Sequence, residues 1–111
     1  MDERIEKYLY DIRFAVEEIN GFFKNTEKTF GNFRQNTMLK RAIERNLEII
    51  GEATKRILVY DTEIKITNAR KIVNLRNLVI HAYDNISDEN IWAIVINNIP
   101  ELKKEIDKLL S

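Results

Sequence analysis

The sequence predicts an all-α fold, an up-and-down four-helix bundle with a short extra C-terminal helix, filling one domain over residues 1–111. Three observations carry that expectation. Apolar residues recur at three- and four-residue intervals through most of the chain, the period of a helix with one buried face. The chain has only 3 glycines and 1 proline, few breaks for its length. A single β-branched run, residues 58–66, has no partner strand elsewhere, and an isolated strand is unstable.

The first helix is read over residues 3–24, with Ile5, Tyr8, Leu9, Ile12, Ala15, Val16, Ile19, Phe22 and Phe23 on one stripe. From Lys24 to Gln35 the composition turns to Asn, Thr, Gly and Lys, which marks a connector with one short helical turn. Phe30 and Phe33 in it are expected to dock on the bundle. Asn36 or Thr37 caps a second helix through Leu39, Ala42, Ile43, Leu47, Ile50, Ala53 and Ile57. Residues 58–66 are then linker and helix entry. A third helix is expected over 67–81, carrying Ala69, Ile72, Val73, Leu75, Val79 and Ile80. Ser87 or Asp88 caps a fourth through Ile91, Trp92, Val95 and Ile96, and Asn98-Ile99-Pro100-Glu101 stops it. Pro100 suits the first turn of a last helix over 100–110.

Bulk properties exclude several classes. Without cysteine there is no disulfide framework and no thiolate chemistry, and a reducing cytoplasm is the expected location. No apolar run approaches the roughly 20 residues of a membrane span, so no membrane association is expected. Formal net charge is +0, unlike a strongly basic nucleic-acid binder. The charge is uneven, however: residues 34–76 carry 10 basic and 5 acidic side chains, between two acidic flanks. A local basic surface suits an anionic substrate; ordinary solvated helix faces give the same pattern.

The chemistry concentrates in Arg76-Asn77-Leu78-Val79-Ile80-His81-Ala82-Tyr83, which holds the only histidine. Five residues on a helix separate Arg76 from His81 by roughly 140°, which is not one face. That spacing puts His81 at a helix terminus, open to solvent. Imidazole titrates near neutrality and is the usual general base, and guanidinium grips phosphate oxygens in a fork. The pair suits attack of an RNA 2′-hydroxyl on the adjacent phosphate, with His81 taking the proton and Arg76 stabilising the phosphorane. The leaving 5′-oxygen needs an acid, and a twofold-related copy of the chain would supply a second histidine. Glu52 on the second helix is a candidate partner for Arg76. Glu44, Glu48 and Glu52 form an acidic ridge rather than a metal-ligand set, and no cofactor motif is present. A non-catalytic dimeric adaptor that binds RNA or nucleotide through Arg76 is the alternative.

The arrangement Arg76-x4-His81-x-Tyr83 resembles the signature of HepT toxins in the HEPN superfamily. Arg41 to Ala53 is similar to that family's second-helix block, and Ile91-Trp92 with Ile99-Pro100-Glu101-Leu102 is similar to its C-terminal pattern. The likeness covers nearly the whole chain. It implies an all-helical homodimer with a metal-independent ribonuclease site at the subunit interface, carried by Arg76 and His81, with Asn77 supporting. It also implies a toxin–antitoxin pair whose partner, a minimal nucleotidyltransferase, transfers AMP from ATP to the motif tyrosine, here Tyr83. Two positions depart from the pattern: Ala82, where relatives often have glycine, and Ile66-Thr67-Asn68, where Pro-Trp often precedes the motif.

Overall fold

Asp2 starts the first helix. Its carboxylate accepts the N–H of Arg4 at 2.7 Å, and α1 (Glu3–Gly21) follows with Glu3 and Glu6 in the first turn, where the helix dipole favours negative charge. Ile5, Leu9, Ile12, Ala15, Val16 and Ile19 form its buried seam. In this computed structural model residues 1–75 and 88–111 are described, and among them every regular element is helical.

The expected short helical turn is α2 (Phe30–Gln35), whose N–H of Asn32 is accepted by Thr29 Oγ1 at 3.2 Å. Phe33 is fully buried, and Phe23, Phe30 and Phe33 surround Trp92 at centroid distances of 5.8, 6.5 and 5.3 Å. These phenylalanines are anchors that hold the connector against the far end of the chain, as expected.

Asn36 rather than Thr37 caps α3 (Thr37–Tyr60), its Oδ1 accepting from Leu39 N at 3.0 Å. The helix runs three residues past the expected boundary and absorbs Leu58, Val59 and Tyr60. Extending a helix that already exists adds one hydrogen bond per residue ordered, which outweighs the weak strand preference of Val and Tyr. Asp61 N–H closes the helix on Ile57 O at 2.9 Å. The apolar seam of α3 lies along that of α1, which also packs against the last helix of the chain.

The linker that follows is pinned at Ile66, which is buried, and at Thr67. The N–H and hydroxyl of Thr67 both donate to Glu105 Oε2, each at 2.8 Å. Asn68 then takes a left-handed conformation (φ 60), which asparagine tolerates better than most residues. Only beyond it does α4 (Ala69–Val73) begin, and a turn at Asn74 follows. The uninterrupted helix expected over 67–81 is therefore corrected at its start, Ala69, and at a turn at Asn74; Leu75 is helical again, and residues 76–81 lie outside the described residues.

The end of the chain departs most from expectation. α5 (Asp88–Ala93) passes into a π-helical turn, Ile94–Asn98, and directly into α6 (Ile99–Leu110). Asn98-Ile99-Pro100 does not stop a helix. Ala93, Asn98 and Ile99 keep right-handed helical dihedrals, and Ile99 N–H donates to Ile94 O, five residues back. Proline cannot donate to the carbonyl four residues before it and its ring crowds that carbonyl. One wider turn ahead of Pro100 relieves both problems and keeps the rod unbroken. Arg13 on α1 fastens the rod by donating to Asp107 at 3.1 Å.

Candidate active site

Four of the five site residues expected from the sequence, Arg76, Asn77, His81 and Tyr83, lie outside the described residues. The structure describes the residues on either side of that segment, and the fifth residue, Glu52.

At the near end, Leu75 is buried and fixes the backbone one residue before Arg76. At the far end, Asp88 is the first residue of α5; Ser87, the other expected cap, is outside the described residues. Lys40, in the first turn of α3, donates to Asp88 Oδ2 at 3.2 Å, and both side chains are largely shielded from solvent. An acidic residue in the first turn of a helix and a lysine from its neighbour make this end electrostatically fixed. Sequence reasoning missed this clamp, because the partners stand 48 residues apart with no shared motif.

One turn along α3 from Lys40 stands Glu44. Burial raises its carboxyl above the ordinary carboxylate range, and the nearby Arg41 and Lys40 offset that only in part, while Asp88 and Glu48 add to it. The next two carboxylates of the ridge are paired within their own helix. Arg45 bonds Glu48 at 3.4 Å, and Arg56 Nε donates to Glu52 Oε1 at 3.1 Å. Glu52 was expected to meet Arg76; the partner described for it is Arg56. It lines a groove of about 430 Å³ between α1 and α3, shared with Lys7, Tyr8, Asp11 and Arg45. Lys7 and Asp11 close on each other there at 2.8 Å. Among the described residues no group of three His, Cys, Asp or Glu is placed to hold a metal ion. No described helix is long and apolar enough to cross a membrane.

Pairing thins the basic middle third. Lys40, Arg45 and Arg56 are spoken for by Asp88, Glu48 and Glu52. Lys55, Arg70 and Lys71 are exposed and have no ion pair among the described residues. Arg34, Arg41 and Lys65 are likewise exposed and without an ion pair there, but Lys55 and Arg70 line one cavity together, with Lys71 beside them on α4.

Residues 3–109 match the family model described as "Ribonuclease HepT-like". The chain is 35% identical over 105 residues to a Methanocaldococcus jannaschii protein named "Putative RNase MJ1380", covering 93% of this chain and 94% of that one. A second protein of that organism, "Putative RNase MJ1216", is 34% identical, over 96% of this chain and 88% of its own. A Thermococcus cleftensis protein named "Probable ribonuclease HepT" is 35% identical, over 92% of each. No solved structure matches.

Proposed function

Because the chain belongs to the ribonuclease HepT-like family, we propose that it is a ribonuclease toxin whose cutting residues are Arg76 and His81. The observation that carries this reading is the motif Arg76-x4-His81-x-Tyr83 inside a chain that matches the family over residues 3–109.

The reaction needs no metal. His81 removes the 2′-hydroxyl proton of a ribose, and that oxygen attacks the adjacent phosphorus. Arg76 holds the two equatorial oxygens as charge accumulates on the phosphorane. The bond to the 5′-oxygen of the next nucleotide breaks, leaving a cyclic 2′,3′-phosphate and a 5′-hydroxyl. The proton for that 5′-oxygen comes from the second His81 of a homodimer, whose cleft is shared by the two copies. Asn77 and Glu52 support the arginine, by hydrogen bonding and by charge.

Control comes from a minimal nucleotidyltransferase encoded as the antitoxin of a type VII pair. The Tyr83 oxygen attacks the α-phosphorus of ATP, pyrophosphate leaves, and the phenolic proton passes to solvent. AMP on Tyr83 places bulk and negative charge two residues from His81, where a substrate phosphate must sit.

The test is direct. Purified protein is incubated with RNA in EDTA, and cyclic phosphate ends are sought. His81→Ala should lower cleavage by a factor of about 100 or more. Equal cleavage by that variant removes His81 from the mechanism, and no cleavage by the unaltered protein removes the reading.

A further inference from the structure

Two cavities open on opposite sides of α4, and Asn74 lines both. The first, about 250 Å³, lies between α4 and the rod formed by the π turn and α6. Its floor is aliphatic: Ile72, Leu75 and Leu102 are buried, and Ile94 is half-buried. Its rim is polar and exposed, with the amides of Asn68, Asn74 and Asn98, the carboxylate of Glu101 and the ammonium of Lys71. The second cavity, about 490 Å³, lies between the last turns of α3 and the other side of α4. Its charged lining is Lys55 and Arg70, with no carboxylate.

The two linings ask for different chemical groups. An aliphatic floor receives the flat face of a heterocycle, and three amides offer donors and acceptors to its edge. At about 250 Å³ the first cavity falls below the roughly 300–1,000 Å³ of drug-sized sites, which suits one nucleobase. Glu101 on its rim accepts from an exocyclic amine, and Lys71 on the same rim donates to a ring carbonyl or nitrogen. The second cavity, with two cations that have no ion pair among the described residues, attracts a phosphate. A base beside a phosphate is the repeating unit of a single strand, whose unstacked bases can be splayed into such a cleft.

We infer that α4 is a saddle for single-stranded RNA. One nucleobase enters the asparagine-rimmed cavity, and the neighbouring phosphate rests against Lys55 and Arg70. Leu75 on the cavity floor is the residue before Arg76 in the chain, so the two cavities adjoin the start of the motif in sequence. This inference rests on the ribonuclease reading above and adds to it the residues that choose and seat the strand.

The experiment measures binding of a fluorescein-labelled single-stranded RNA by anisotropy across a salt series. His81→Ala is the background, so that the probe is not consumed, and cleavage by the unaltered chain is followed alongside. Lys55→Ser with Arg70→Ser should weaken binding about tenfold at low salt and reduce the slope of log affinity against log salt by about 1.4. Asn74→Ala with Asn98→Ala should leave that slope unchanged, weaken binding about fivefold, and erase differences among homopolymers of A, C and U. All four residues are exposed, so both doubles should fold. RNA that is cut and bound normally by both doubles overturns the saddle and leaves the ribonuclease reading standing. RNA that is neither bound nor cut by the unaltered chain overturns both.

Discussion

Lys40 in the first turn of α3 and Asp88 at the start of α5 meet at 3.2 Å across 48 residues of chain. Their bond ties the C-terminal end of residues 76–87 to the helix that also carries Glu52. On the other side of residues 76–87, Leu75 is buried.

That clamp can be measured. The side chains are 26% and 30% exposed, so the pair is only partly screened by solvent. A double-mutant cycle of Lys40→Ala and Asp88→Ala, read by urea unfolding, should give a coupling of about 0.5–1 kcal/mol. If Arg76 and His81 cut as proposed, RNA cleavage should fall further than that destabilisation explains, because both lie in the sequence between Leu75 and Asp88. A coupling indistinguishable from zero removes the clamp.

The aromatic knot gives a larger effect. Phe33 is fully buried, with its ring centroid 5.3 Å from that of Trp92. Phe33→Ala should cost about 3–5 kcal/mol through lost contacts and the cavity left behind. Phe30→Ala, at the half-buried edge of the same group, should cost less than about 2 kcal/mol. Trp92 is the only tryptophan, so its fluorescence follows both unfolding transitions directly.

Two carboxylates respond to pH in opposite senses. The hydrogen bonds from Arg4 hold Asp2 at about 2, below its ordinary 3.8, so this cap persists at neutral pH and is lost as pH falls toward about 2. Burial raises Glu44, so its folded form prefers the proton. Its contribution is favourable in acid and is lost as pH rises through its raised value. Glu44→Gln should therefore raise the urea midpoint slightly at neutral pH and leave it unchanged below the carboxylate range. A lowered midpoint at neutral pH contradicts the assignment.

Where local pattern decided the outcome, the sequence was a sufficient guide. The stripes of Ile5–Ile19 and Leu39–Ile57 became the facing seams of α1 and α3, and Phe30 and Phe33 docked as expected. Proline at position 100 misled, because the rule that it ends a helix assumes an α-helical ladder on both sides. A single π turn removes the missing bond and the crowded carbonyl together. The extension to Tyr60 came from helix propagation past Ile57, which the β-branched composition of residues 58–66 obscured, and no glycine or proline marks the turn at Asn74. Of the site, the motif was readable and its spacing chemically meaningful. The Lys40–Asp88 clamp and the two cavities beside α4 were not, since they join residues with no regular separation.

The proposed mechanism makes a demand on subunit pairing that sequence motifs alone do not test. If one His81 acts as base and its twofold mate as acid, the rate should rise and fall with pH on two limbs, one for each imidazole. These are apparent values of the coupled pair rather than of either residue. A heterodimer joining one unaltered subunit to one His81→Ala subunit retains a single imidazole. Its rate should fall by a factor of about 100 and its profile should keep one limb only. Which limb survives reports the role of the remaining histidine in the cleft. An oligonucleotide with a better leaving group at the 5′-oxygen should rescue the heterodimer and not the doubly substituted dimer, because it relieves the need for the acid alone. Two unchanged limbs in the heterodimer would place base and acid within one subunit and remove the requirement for the second copy.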